Sequence, residues 1–143
     1  MPKSNYLDSA ILELLFNGTP IPNLADNAGT SPLLFLYQSL HTASPGAAGD
    51  QSSNEAAYPG YARVPWARSS GAWVPTAQQV NPNMVVSFPA ASGATSEVET
   101  YWGIGTESTG SGRLLYFGTI TPSIPMSNGV IPQLSPLSVV TES

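Results

Sequence analysis

The side chains that could do chemistry are few in this 143-residue chain. It has one histidine, His41, no cysteine, nine acidic residues and four basic ones. A serine-type triad needs a nucleophile beside a histidine base and an orienting acid, and no GxSxG nucleophile motif occurs in the sequence. We therefore interpret His41 as a structural, hydrogen-bonding residue, and we expect no enzyme activity.

Two pairs of carboxylates have a spacing that could form a site. Glu97 and Glu99 lie two residues apart, so on a strand they would share one face, as in an acid–base pair. A solvated acidic face is the commoner arrangement and is the one we expect. Asp50 and Glu55 lie in a polar stretch without the DxDxDG rhythm of a calcium loop, so at most an adventitious cation is expected. We predict no metal site and no cofactor.

Gly103 and Gly105 lie in WGIGTESTGSG, whose glycine spacing is also found in phosphate-binding loops. Those loops lead into a helix, whereas residues 114–120 here alternate as a strand does. We interpret both residues as turn glycines.

The composition excludes several classes of function. Charged residues are 9% of the chain, against roughly 25% in typical soluble domains, and the net charge is −5. Nucleic-acid binding requires clustered Lys and Arg, but the four bases are scattered: Lys3, Arg63, Arg68 and Arg113. No apolar run approaches the roughly 18 residues of a membrane helix, and Asp8 and Glu13 interrupt the first apolar stretch, unlike a secretory signal. We expect neither nucleic acid nor membrane as a partner.

The N-terminal segment predicts the only helix. Ser4 or Asn5 can cap it, Asp8 suits its first turn, and Gly18 suits a left-handed C-cap. Apolar residues recur at helical spacing: Leu7, Ala10, Ile11, Leu14 and Leu15. The polar residues left on the other side are Asp8, Ser9 and Glu13. A helix of about 12 residues is marginal alone, so its apolar stripe docks either on its own domain or on a neighbouring subunit.

The rest of the chain predicts seven or eight short strands separated by Gly, Pro, Asn and Ser. They fall at residues 33–42, 61–68, 73–75, 84–88, 98–104, 114–120, 130–134 and 137–141, with a long loop at 44–57 and a hairpin loop at 106–112. The pattern predicts a mainly β fold, an antiparallel β-sandwich or jelly roll with one short N-terminal helix. We expect a single domain over residues 1–143, with a helical arm at 1–18 and the sandwich at 33–141.

Aromatic residues and arginines concentrate in residues 58–73, where core packing, a protein interface or ligand stacking would each explain them. We predict partner contacts in this segment, in the helix and in the C-terminal tail. The residues are Tyr6, Leu7, Ile11, Tyr61, Arg63, Trp66 and Arg68.

Six segments, taken in order, carry a resemblance to a known family. They are PKSNYLDSAILELLFNG (2–18), LYQSLHTASPG (36–46), GYARVPWAR (60–68), VSFPAASG (86–93), YWGIGTESTGSGRLLYFGTI (101–120) and VVTES (139–143). This ordered set resembles a family of small structural proteins of tailed bacteriophages. The chain departs from the family pattern at Pro65, Pro75 and Pro125, which interrupt predicted strands.

The resemblance implies a virion component without catalytic residues. We expect a capsid decoration (cement) protein, made in the host cytoplasm and placed on the outer surface of the capsid. Its partners would be the major capsid protein and other copies of itself, as a trimer or dimer. One alternative is a tail, baseplate or tail-fibre component. Another, from a different class, is a carbohydrate-binding module that stacks Trp66, Trp73 and Trp102 on sugars.

Overall fold

The computed structural model describes residues 4–21 and 32–141, and the chain divides into two compact units. The first unit comprises Met1–Phe35, Ala67–Val86 and Leu134–Ser143, and the second comprises Leu36–Trp66 and Ser87–Gln133. The prediction of a mainly β fold with one short N-terminal helix is confirmed. The single domain and the jelly-roll topology stay predictions.

The described residues form one helix with a π-helical extension, and nine strands. The helix α1 is Asn5–Leu12 and its π-helical extension is Glu13–Asn17. The strands are β1 (Phe35–His41), β2 (Val64–Ala67), β3 (Trp73–Thr76), β4 (Gln79–Pro82), β5 (Val86–Ser87), β6 (Val98–Gly105), β7 (Leu114–Pro125), β8 (Gln133–Leu134) and β9 (Val140–Thr141). No helix within the described ranges is long and apolar enough to cross a membrane.

Helix α1 begins and ends where the sequence predicts. The backbone N–H of Leu7 donates to Ser4 Oγ at 3.3 Å, and Gly18 ends the helical run with a φ of 71°. Its buried side, however, consists of Asp8, Leu12 and Phe16.

The predicted placement of Asp8 on the solvated side is therefore wrong, and the predicted apolar stripe is only half-buried. The Phe16 ring packs edge-on against Trp73, with ring centroids 4.5 Å apart. This large contact fixes which side of the helix faces the core. Phe16 also lies in the π-helical extension, where the wider turn shifts side chains away from the regular 3.6-residue positions.

The first unit has a three-stranded sheet in the order β3–β4–β9, with both neighbouring pairs antiparallel. Helix α1 packs on β3 and β4, and the core contains Leu12, Phe16, Trp73, Val80 and Val140. Strand β4 is absent from the sequence prediction because its apolar–polar alternation covers only four residues.

The second unit has a four-stranded sheet in the order β2–β1–β6–β7, where β6 pairs antiparallel with both β1 and β7. Strand β1 has buried side chains on both faces from Gln38 to His41. The Pro65-containing strand β2 lies at a sheet edge, where a proline costs no hydrogen bond to a neighbouring strand. The predicted strand at 84–88 is reduced to β5, which pairs with β8, and Met84 is exposed rather than aligned with buried Val86 and Phe88.

Candidate functional site

The second unit contains a polar cluster centred on Arg63 and Glu55. Arg63 Nε donates to Glu55 Oε1 at 2.6 Å, and Nη2 donates to Glu55 Oε2 at 2.8 Å. The remaining guanidinium contacts reach the hairpin loop, where the carbonyls of Glu107 and Gly110 accept at 2.9 and 2.6 Å. One buried arginine therefore holds the long loop and the hairpin loop together.

Tyr61 completes this cluster. Its hydroxyl donates to Glu55 Oε1 at 2.9 Å and accepts from the backbone N–H of Leu40 at 3.2 Å. Burial raises the pKa of Tyr61 far above its usual value, so the phenol stays neutral. Burial opposes the charge of Arg63, but the hydrogen bonds and charge of Glu55 outweigh it and raise the pKa of Arg63. Arg63 therefore keeps its positive charge.

A cavity of about 250 Å³ opens beside this cluster. Its lining residues are Glu55, Ala56, Tyr61, Ala62, Arg63, Ser108, Thr109 and Gly110. Both carboxylate oxygens of Glu55 already accept hydrogen bonds from Arg63. The two charged groups in the wall of the cavity therefore neutralise each other. This arrangement braces two loops and gives little attraction for a charged ligand. It also means that Glu55 does not combine with Asp50 as a free pair of cation ligands.

His41 and Ser39 form a second buried cluster. His41 Nδ1 lies 2.9 Å from the carbonyl oxygen of Ser53, which can only accept, so Nδ1 carries the proton. Nε2 then accepts from Ser39 Oγ at 2.9 Å. Burial lowers the pKa of His41, which favours this neutral form. The geometry is that of a nucleophile and its base, but both side chains are fully buried.

The glycines of WGIG lie within strand β6 and not in a turn, which corrects the sequence interpretation. A Cβ at Gly103 would lie 2.8 Å from both His41 Nε2 and Ser39 Oγ. A Cβ at Gly105 would overlap the side chain of Gln51, whose amide bonds the backbone of Glu107 at both N–H and C=O. Both glycines therefore leave room for buried polar side chains of neighbouring segments.

The Glu97–Glu99 pair is not a solvated acidic face. Glu99 is completely buried in β6, and neither of its carboxylate oxygens has a hydrogen-bond partner among the described residues. Burial raises the pKa of Glu99 to about 7, and the nearby charge of Glu97 adds to this shift. Glu97 instead accepts from the backbone N–H of Ala57 at 3.1 Å.

The predicted interface residues of the first unit have different surroundings. Tyr6 is 66% exposed, and it borders a groove of about 350 Å³ along α1, while Leu7 and Ile11 are half-buried. Arg68 donates to the carbonyls of Leu14 and Leu15 at 2.5 and 2.6 Å, so it closes the end of the helix.

The predicted interface residues of the second unit are Tyr61, Arg63 and Trp66. Tyr61 and Arg63 meet at Glu55, and the burial of Arg63 makes it an internal brace. Trp66 is half-buried on β2. In the C-terminal tail, Val139 is exposed, and residues 142–143 lie outside the described residues.

Most of the exposed apolar side chains lie outside the segments predicted to contact partners. Those in the first unit are Leu33, Leu34, Phe35, Val74, Met84 and Val85. The available signal was the apolar run Leu33–Leu36, which falls at the start of the strand predicted at 33–42. Trp73, by contrast, is only 1% exposed, so it cannot contribute to an exposed sugar-stacking surface.

Comparison with known proteins assigns the chain to a family. Residues 2–141 match the family model described as podophage GP4 fiber I protein gp80. None of the curated proteins matches this chain. Because the match extends over nearly the whole sequence, the chain belongs to the podophage GP4 fiber I protein gp80 family of tailed-phage virion structural proteins.

Proposed function

We propose that this phage virion protein is a structural subunit of a fibre, and that it acts by binding other virion proteins without catalysing a reaction. The observation that carries the proposal is the match of residues 2–141 to a family described as a fibre protein. The description favours the tail-fibre alternative over the capsid decoration function expected from the sequence.

The site geometry supports binding over catalysis. The polar clusters of the second unit are turned inward: Arg63 pairs with Glu55, and Ser39 pairs with His41 in a fully buried position. The first unit has the opposite character, with Leu34 73% exposed and Leu137 82% exposed. Exposed apolar side chains of this size commonly contribute to protein interfaces.

The copy number and position of the protein in purified particles test the proposal. We expect a few copies per particle, measured by quantitative mass spectrometry against the major capsid protein, with antibody label at the tail end. A copy number that scales with the capsid lattice, and label spread over the head, would instead support decoration. If the protein decorates the capsid, particles that lack it should burst at a lower temperature. If it is a fibre subunit, particles that lack it should adsorb less to the host and keep unchanged head stability.

Substitutions in the first unit test which residues carry the attachment. Leu34→Asp and Leu137→Asp each place a charge at an exposed apolar position and should lower incorporation into particles at least tenfold. Thr76→Asp is the matched control, because Thr76 is exposed on β3 of the same unit. Equal incorporation of all three variants would mean that these apolar residues do not form the attachment surface.

A further inference from the structure

Glu99 is a fully buried carboxyl on β6, and neither of its oxygens has a hydrogen-bond partner among the described residues. The charged neighbour that adds to the shift of its pKa is Glu97, which is acidic as well. Buried carboxylates are normally paired with a cation or hydrogen-bonded, because an isolated buried charge is costly. An unpaired buried carboxyl therefore indicates either a neutral acid or a ligand that supplies positive charge.

Glu97 lies on the same side of the chain as Glu99. The carbonyl of Glu97 accepts from the backbone N–H of Met126 at 2.8 Å, so the pairing of β6 with β7 continues to residue 97. Residues two apart in an extended chain share one face, with Cα atoms about 6.4–6.8 Å apart. Val98, between them, is exposed. Both carboxyl groups therefore project from the face opposite Val98, close enough for their oxygens to meet at one ion.

A segment of the second unit that follows the long loop closes this face. The backbone N–H of Ala57 donates to both carboxylate oxygens of Glu97, at 3.1 and 3.2 Å. The Tyr58 hydroxyl donates to the carbonyl of Pro89 at 2.9 Å. Burial chiefly raises the pKa of Tyr58 to about 12, and the charges of Glu99 and Glu97 add to this rise, so Tyr58 lies near both carboxyls. The pair is therefore surrounded by oxygen atoms and a neutral phenol.

The enclosure of Glu99 favours a small ion over a basic side chain of another protein. Glu99 is 0% exposed, so a lysine or arginine of a partner would have to displace packed residues to reach it. Glu97 is only half-buried, and an ion can approach the pair from its side. The two carboxylates together carry two negative charges, which a divalent cation balances.

We propose that Glu97 and Glu99 together bind one calcium ion, which supplies the positive charge that no described side chain brings to Glu99. Calcium accepts carboxylate and carbonyl oxygens at about 2.3–2.6 Å in flexible arrangements, which suits two carboxylates of unequal exposure. The described residues contain no group of three or more His, Cys, Asp or Glu side chains that could hold a metal. The remaining ligands are therefore backbone carbonyls and water.

This site replaces the sequence-based expectation of no metal, which assumed that the pair lies on a solvated face. With only two charged ligands, the affinity should fall in the range of weak extracellular calcium modules, about 10⁻⁴–10⁻³ M.

Calorimetric titration of the full-length chain with CaCl₂ at about pH 8 tests the proposal. We expect one binding event per chain with a dissociation constant of about 10⁻⁴–10⁻³ M. Glu99→Gln and Glu97→Gln each remove one charged ligand and should raise this constant about tenfold or more. Glu107→Gln is the matched control, because it removes the same charge from an exposed position of the same unit and should leave the constant unchanged.

Thermal denaturation gives a second readout that does not depend on the heat of binding. CaCl₂ should raise the Tm of the wild type above that of the protein in EDTA, because a ligand that binds only the folded state stabilises it. The Tm of Glu99→Gln should not respond. MgCl₂ should have a smaller effect, because Mg²⁺ requires near-ideal octahedral geometry and loses its water reluctantly. NaCl at the same ionic strength corrects for screening.

Glu99→Gln that binds calcium as tightly as the wild type would overturn the proposal, and Glu99 would then be a buried neutral acid. So would a rise in Tm no larger than that produced by NaCl at matched ionic strength. The inference goes beyond the proposed function, because it concerns an ion bound by the single chain and not the attachment of the protein in the particle. Its failure would leave the fibre proposal to be decided by the particle experiments.

Discussion

Glu99 shows how one residue can make the stability of the protein depend on pH. The side chain is fully enclosed in β6, without a described hydrogen-bond partner, and its pKa of about 7 reflects chiefly its burial. An ionised carboxylate in such surroundings is costly, so the folded state favours the protonated acid. Arg63, by contrast, keeps its charge buried because Glu55 accepts two of its hydrogen bonds.

Glu99→Gln should remove a pH dependence of stability. The pKa of the Glu99 carboxyl rises from 4.5 in the unfolded chain to about 7 in the folded protein. Its contribution to stability is therefore fully present below pH 4.5 and is lost as the pH rises through about 7. We therefore expect Glu99→Gln to be clearly more stable than wild type at about pH 8 and to differ little at about pH 5, as measured by urea denaturation.

The informative quantity is the difference between wild type and Glu99→Gln, because His41 contributes with the opposite sign. The pKa of His41 is lowered by burial, so its contribution is present above its ordinary pKa and is lost on acidification. Glu107→Gln serves as control, since Glu107 is exposed. If the difference in free energy of unfolding between wild type and Glu99→Gln stayed constant from about pH 5 to about pH 8, the prediction would be wrong.

Arg63→Ala should destabilise the protein by about 3 kcal/mol, because it leaves Glu55 without its partner in a largely buried site. Glu55→Ala should cost a similar amount for the converse reason. The double variant should cost less than the sum, as expected for a coupled pair. Chemical denaturation of the four proteins measures this cycle, and strictly additive losses would argue against the pair as a unit.

At the scale of elements, the hairpin β6–β7 and strand β1 form the best-predicted part of the fold. Their apolar alternation is long enough to fix both position and type, and the hairpin loop lies where the sequence predicts it. Helix α1 is predicted in its limits but not in its rotation, because the Phe16–Trp73 contact sets which side is buried. Strand β4 has four residues, too few for a periodic signal. The strands predicted at 84–88, 130–134 and 137–141 are each reduced to two residues, in β5, β8 and β9.

At Gly105 strand β6 closely approaches the side chain of Gln51, and Gly105→Ala should destabilise the protein by about 1–3 kcal/mol. The added methyl group would overlap the side chain of Gln51 and break its two bonds with Glu107. Thermal denaturation measures the loss. Gly71→Ala is the control, because its nearest neighbouring atom would be 4.0 Å away. Equal stability of the two variants would show that Gln51 moves aside without cost.

At the scale of the whole molecule, scarcity of charge is the dominant property. Only nine acidic and four basic residues occur among 143, so few charged side chains are available to keep copies apart by electrostatic repulsion. A surface with so few charges is compatible with a protein that functions within an assembly.

We expect the solubility of the isolated protein to be lowest near its pI of about 4.4. Turbidity measured across the acid and neutral range tests this. Arg113→Gln removes one exposed positive charge and should move the minimum to lower pH. A minimum near neutral pH, or one that Arg113→Gln leaves in place, would show that apolar contacts and not net charge control solubility.

The sequence by itself determined the β-rich class, the start and end of the helix, the central hairpin and the resemblance to phage structural proteins. These rest on local properties: periodicity, capping residues, turn residues and composition. Only the tertiary structure decided that Asp8 and Glu99 are enclosed, that Gly103 and Gly105 lie in a strand, and that Arg63 is an internal brace. Each of these depends on a contact between residues far apart in the chain, such as Gly105 with Gln51 or Arg63 with Gly110. Local patterns carry no information about which distant side chain will occupy the space beside a residue.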